Sequence, residues 1–175
     1  MRNRKAKALV ALMAAAVLLV PSLARGEADG SAAIPSRFSL GAGFGIPFGV
    51  IGLSCEVSPV LGSRPDRIAN HLSFNLGLGT SIAGIGYSLG FRFYPLGRER
   101  IWAPKVSLMY GTVCIVNWTY SYRGFAAGAG VVRRTGKKSS VDADVIFIIN
   151  RFGYNSSDWG SGRLKFSIGW RRNFD

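Results

Sequence analysis

The amino-acid sequence predicts an all-β protein, an eight-stranded antiparallel up-and-down barrel that crosses a membrane with its strands. Three observations carry that prediction. Alternation of apolar with small or polar residues recurs eight times after residue 36. Nothing there repeats with the 3.6-residue period of a helix, and glycine, 23 of 175 residues, is too frequent for long helices. Hydropathy is positive on average yet spread thin, with no run of the roughly 20 apolar residues that a spanning helix needs.

The chain opens with a different pattern. Arg2, Arg4, Lys5 and Lys7 precede an apolar run from Ala8 to Val20, Pro21 breaks it, and Ser22 and Ala24 are small. This is the layout of a secretory signal peptide over residues 1–24, with cleavage expected after Ala24 and Ala28 as the alternative site. Residues 25–36 read as a short lead, and 37–175 as the barrel domain. The net charge of +13 on the whole chain falls to +9 without the signal, 18 basic against 9 acidic groups. That surplus favours anionic surfaces without implying nucleic acid. Two cysteines, Cys55 and Cys114, are too few for a disulfide scaffold and read as small hydrophobes.

The first predicted strand, "RFSLGAGFGI", sets Phe38, Leu40, Ala42, Phe44 and Ile46 against Ser39, Gly41, Gly43 and Gly45. A tight turn at "PFG" leads to the second, "VIGLSCEV", with Ile51, Leu53, Cys55 and Val57 opposite Gly52, Ser54 and Glu56. "HLSFNLGLG" and "IGYSLGFRFY" give the third and fourth, with His71, Ser73, Asn75, Ser88 and Arg92 on the polar face. "KVSLMYGTV" and "YRGFAAGAGVV" give the fifth and sixth, "VDADVIFIIN" the seventh. The eighth, "RLKFSIGWRRNF", alternates Leu164, Phe166, Ile168, Trp170 and Phe174 with Lys165, Ser167, Gly169, Arg171 and Asn173.

The polar face is unusually small. A soluble sandwich hides bulky apolar groups and shows long polar ones to water; here glycine and serine oppose the bulky row. That inversion suits a narrow closed barrel with small groups inside and large apolar groups toward lipid. Closure also pairs every backbone N–H and C=O, as hydrocarbon requires. The same parity collects Glu56, Arg92, Lys105, Asp142, Asp144, Lys165 and Arg171 inside, predicting a lumen filled by paired charges rather than an open pore. Aromatics near strand ends, Trp102, Trp118, Tyr120, Tyr122, Phe152, Tyr154 and Trp159, are expected at headgroup level. Arg172 interrupts the apolar row two residues from the end of the last strand, where a lipid-facing cation costs about 0–1 kcal/mol and reaches headgroup phosphates.

The last strand, with Phe166, Ile168, Trp170 and a terminal aromatic at Phe174, resembles the end signature of bacterial outer-membrane barrels. Together with the signal peptide and eight strands, the chain resembles the small OmpA/OmpX-type barrels. The resemblance implies an outer-membrane location, a bilayer with lipopolysaccharide around the barrel, and handling by periplasmic chaperones and the outer-membrane assembly machinery, with Phe174 in the recognition signal. With both termini periplasmic, outer loops are expected near Pro47, at Thr80–Ala83, Ile115–Arg123 and Arg151–Gly162. The periplasmic turns would then be Ser58–Asn70, Pro95–Pro104 and Arg133–Ser140, longer and more basic than is usual.

The function expected is non-enzymatic: envelope integrity or contacts made by the third and fourth outer loops. A second expectation is enzymatic. The outer-membrane lipid A deacylases are similar barrels with a His-x-Ser arrangement and a carboxylate, and His71 and Ser73 match it, with Glu56 as the carboxylate. Their parity points into the lumen, so a polar lumen network of Glu56 and His71 is the preferred reading. A third is a soluble periplasmic barrel holding an apolar ligand, which the glycine-rich face disfavours. "RRTGKK" (133–138) reads as a charged hairpin turn, with no recognition helix or stacking platform beside it for nucleic acid. "GAGFG" lacks the nucleotide fingerprint, and one histidine with two distant cysteines makes no metal site, so no cofactor is expected.

Overall fold

Period-2 alternation lets a strand present one chemistry to each side of a sheet, and here the sheet closes on itself. A computed structural model of the protein describes residues 38–59, 70–81, 84–115, 121–152 and 163–174. Residues 1–36, where a signal peptide and a lead are expected, therefore lie outside the described residues, as do Trp118, Tyr120, Tyr154 and Trp159. The eight strands are β1 (Phe38–Gly45), β2 (Val50–Val57), β3 (Leu72–Ser81), β4 (Gly84–Phe93), β5 (Trp102–Ile115), β6 (Ser121–Arg134), β7 (Ser139–Ile148) and β8 (Leu164–Phe174). Each pairs antiparallel with its sequence neighbour, and β8 returns to β1, so the barrel is closed with up-and-down connectivity. Closure register is set by Phe38↔Phe174 through Phe44↔Ile168.

The two faces separate as the alternation requires. Leu53, Ile85 and Phe166 are 67%, 69% and 68% exposed on the outside, whereas Arg92 and Lys105 are each 1% exposed inside. The outward row of β8, Phe166, Ile168, Trp170 and Phe174, is exposed throughout, and Arg172 stands with it, its guanidinium 6.0 Å from the Phe174 ring.

Several expectations are corrected. β5 and β6 run to 14 residues each, so the turn after β4 covers residues 94–101 and that after β6 only 135–138. Lys105–Val113 and Tyr122–Val132 understate these strands because Trp102, Pro104, Arg133 and Arg134 carry the ladder onward without an alternating pattern. Thr80 and Ser81 belong to β3, leaving two residues between β3 and β4. Tyr122 faces inward rather than outward: it is buried with Met109, Val113, Ala126, Ile146 and Ile148 inside the barrel.

The largest correction concerns the first loop. Ile46–Phe48 forms a 3-10 turn whose three residues are all buried. The β1–β2 connection does not project from the barrel; it folds into it. Gly45 (φ 116) and Gly49 (φ 67) supply the left-handed backbone that reverses the chain at each side of the turn. Val50, at φ 100, carries the chain back to β2 in a conformation that branched residues rarely adopt.

Candidate functional site: a stoppered, ion-paired lumen

Two layers fill the barrel. Nearest the β1–β2 tip, the inturned loop acts as a stopper. Phe48 is wholly buried, and its ring lies against Gly43 and Gly169. The backbone carbonyls of Pro47, Phe48 and Gly49 press on Gly77, Gly79 and Gly86. A Cβ on any of these glycines would collide with the stopper or with a facing strand. Ile46 continues the layer into the apolar cluster beneath β5, β6 and β7. Asn75 anchors the loop, its Nδ2 donating to the Pro47 carbonyl at 3.3 Å.

The second layer, toward the end holding the turns 94–101 and 135–138, is ionic. Strand register explains its assembly. Ser39 opposes Glu56, Arg171 opposes Gly41 on one side and Ser140 on the other, and Asp142 opposes Gly169. Glycine neighbours leave the space that long charged chains need in a narrow lumen. Asp142 lies 2.8 Å from Arg171 Nε, 3.0 Å from Lys105 Nζ and 3.4 Å from Arg92 Nη1. Lys105 also reaches Asp144 at 3.0 Å. Glu56 pairs with Arg92 at 2.6 Å, Arg171 at 3.1 Å and Arg98 at 3.2 Å. It also accepts hydrogen bonds from Ser73 Oγ and Tyr94 Oη, both at 2.7 Å. Arg171 joins the layers, its guanidinium 5.5 Å from the centre of the Phe48 ring.

Six of the seven charges that parity places inside, Glu56, Arg92, Lys105, Asp142, Asp144 and Arg171, thus form one cluster. Lys165 shares their face but stands at the other end of β8, half-buried, and among the described residues forms no ion pair. Arg98 and Tyr94 also belong to the cluster; Tyr94 ends the fourth alternating segment with the inward parity of Arg92 but was passed over as an uncharged residue, whereas Arg98 lies in the turn after β4, where no alternation marks an inward residue. The buried phenol of Tyr94, beside the Glu56 carboxylate, is pushed above the ordinary tyrosine range and so remains a donor.

His71 stands one residue before β3, half-buried, its Nδ1 2.7 Å from the Tyr94 carbonyl oxygen. Ser73 donates to Glu56, and among the described residues no hydrogen bond joins His71 to Ser73. The arrangement couples serine to a carboxylate already shared by three guanidiniums, which holds the hydroxyl rather than activating it. Among the described residues no cluster of His, Cys, Asp or Glu suits a metal ion. No protein-family model, curated protein or solved structure matches the chain.

Proposed function

We propose that this chain is a non-enzymatic outer-membrane barrel of the small OmpA/OmpX type, which stabilises the envelope and offers its outer loops, residues 116–120 and 149–163, as a contact surface. The observation that carries the reading is the inversion of the two faces. A belt of bulky side chains, Leu53, Leu78, Ile85, Phe91 and Phe166 among them, covers the outside while arginine, lysine and carboxylates are sealed within. Burying one such side chain is worth about 1.5–3 kcal/mol, so a belt left in water would forfeit a large sum and invite aggregation. Lipid removes that cost, and the closed sheet leaves no strand edge to satisfy.

The ionic lumen supports a structural role. Long charged chains paired across four or more strands tie the staves of the barrel together, and the stopper fills the remaining bore. The test is folding from denaturant into dodecyl maltoside micelles or lipid vesicles. A gel band that migrates differently before and after heating is expected. A monomer that stays folded and soluble in buffer without detergent would overturn the membrane reading.

A further inference from the structure

At the turn end of the lumen, the ionic layer is not closed. A recess of about 30 Å³ opens there, walled by Arg98, Arg100, Arg134 and Arg171, with Glu56 and Ser39 among its other lining residues. Four cations face one carboxylate. Arg98 and Arg171 share Glu56. Arg100 and Arg134, among the described residues, form no ion pair, and Arg100 is exposed at the rim. Glu99 lies beside Arg100 in sequence but does not line the recess.

One buried polar group of the recess lining lacks a hydrogen-bond partner. Ser39 is 1% exposed, and its hydroxyl makes no hydrogen bond. Arg171, 2% exposed, already has Glu56 as an ion partner, with Nη1 3.1 Å from the carboxylate. Native proteins rarely leave a buried group such as the Ser39 hydroxyl unmatched. A serine hydroxyl can donate as well as accept, and four guanidiniums against one carboxylate leave the recess positive, so the partner that suits it is an anion.

We infer that this recess binds a single tetrahedral oxyanion, a phosphate group, at the barrel's turn-end mouth. Its size admits a few water-sized atoms, the head of a ligand rather than a large body. Donors reach it from β1, from the turn after β4, from β6 and from β8, on several sides at once. A planar carboxylate presents two oxygens to such a ring, whereas a phosphate presents three or four and suits forked guanidinium donors. The phosphate could come from free solute or from a lipid headgroup, and the site's chemistry is the same for both. The recess lies within the barrel mouth, so the inference does not rest on the membrane reading.

The full chain, refolded in dodecyl maltoside, which carries no phosphate, would be titrated by calorimetry with inorganic phosphate and, in a second arm, with short-chain phosphatidic acid. If the barrel proves soluble, the same titrations run in buffer. Saturable binding of at least one probe is expected, and the tighter of the two names the source. Arg100→Gln with Arg134→Gln, which breaks no ion pair, should weaken it by about tenfold or more. Arg163→Gln, exposed at the opposite end of β8, should leave it unchanged. Ser39→Ala should weaken it roughly threefold or more without altering charge. Gel mobility checks that each variant is folded, and Arg100→Gln alone is read if the double variant is not. Absence of saturable binding by either probe, or affinity indifferent to Ser39→Ala or to the arginine changes, would overturn the site.

Discussion

Asp142 shows how much a single buried carboxylate carries in a narrow barrel. It is 0% exposed and stands within 3.4 Å of Arg171, Lys105 and Arg92. Asp142→Asn preserves shape but leaves three cations facing one another with less counter-charge, an arrangement expected to cost roughly 3–5 kcal/mol. Ser73→Ala removes one of several partners of Glu56 and should cost only about 0.5–1.5 kcal/mol. Denaturant midpoints of the folded, heat-sensitive gel band compare the two; equal midpoints would mean that water already screens the cluster. Parity alone located Asp142 and five of its fellow charges, because a strand with one sealed face cannot place a charge there by accident of register. Arg98 was illegible for the complementary reason: in a turn, no periodic rule says which way a side chain points, whereas Tyr94, two residues after Arg92, shares its inward parity.

At the scale of elements, the glycine-rich face has two physical explanations rather than one. Gly41, Gly130 and Gly169 give room to Arg171, Asp144 and Asp142, while Gly43, Gly77, Gly79 and Gly86 accept the loop that turns in between β1 and β2. The glycines were legible as a sign of a crowded interior, but what crowds them was not. Pro47, Phe48 and Gly49 carry ordinary turn chemistry, and a turn that folds inward differs from one that projects only in what its residues meet. A double-mutant cycle tests the pairing of loop and wall. Gly169→Ala drives a methyl into the Phe48 ring and Asp142, with an expected cost of about 1–3 kcal/mol. Phe48→Ala empties the bore and should cost about 3–5 kcal/mol. If the ring is what the methyl meets, the double variant loses less than the sum, by at least about 0.5 kcal/mol. Strict additivity would place Phe48 elsewhere in the folded chain.

For the molecule as a whole, the fold class was the most legible feature, since alternation, strand number and closure all follow from one repeated pattern. Conduction is where the two layers act together. Any path along the axis meets the stopper at the level of Phe48 and then the ion-paired layer of Glu56, Arg92, Lys105, Asp142 and Arg171. Eight strands leave an interior that side chains can fill, and here the inturned loop and the paired charges occupy it at separate levels. On the membrane reading, the wild-type chain reconstituted in a planar bilayer should show no steady current. Phe48→Ala alone should also stay closed, because the charges behind it remain paired across the lumen. Adding Arg171→Ala removes the side chain that reaches both the Phe48 ring and the two carboxylates, so discrete conductance steps should appear only in the double variant. Current through Phe48→Ala would show that the ionic layer does not bar ions, and current through the wild type would mean that the inserted barrel does not keep its loop inside.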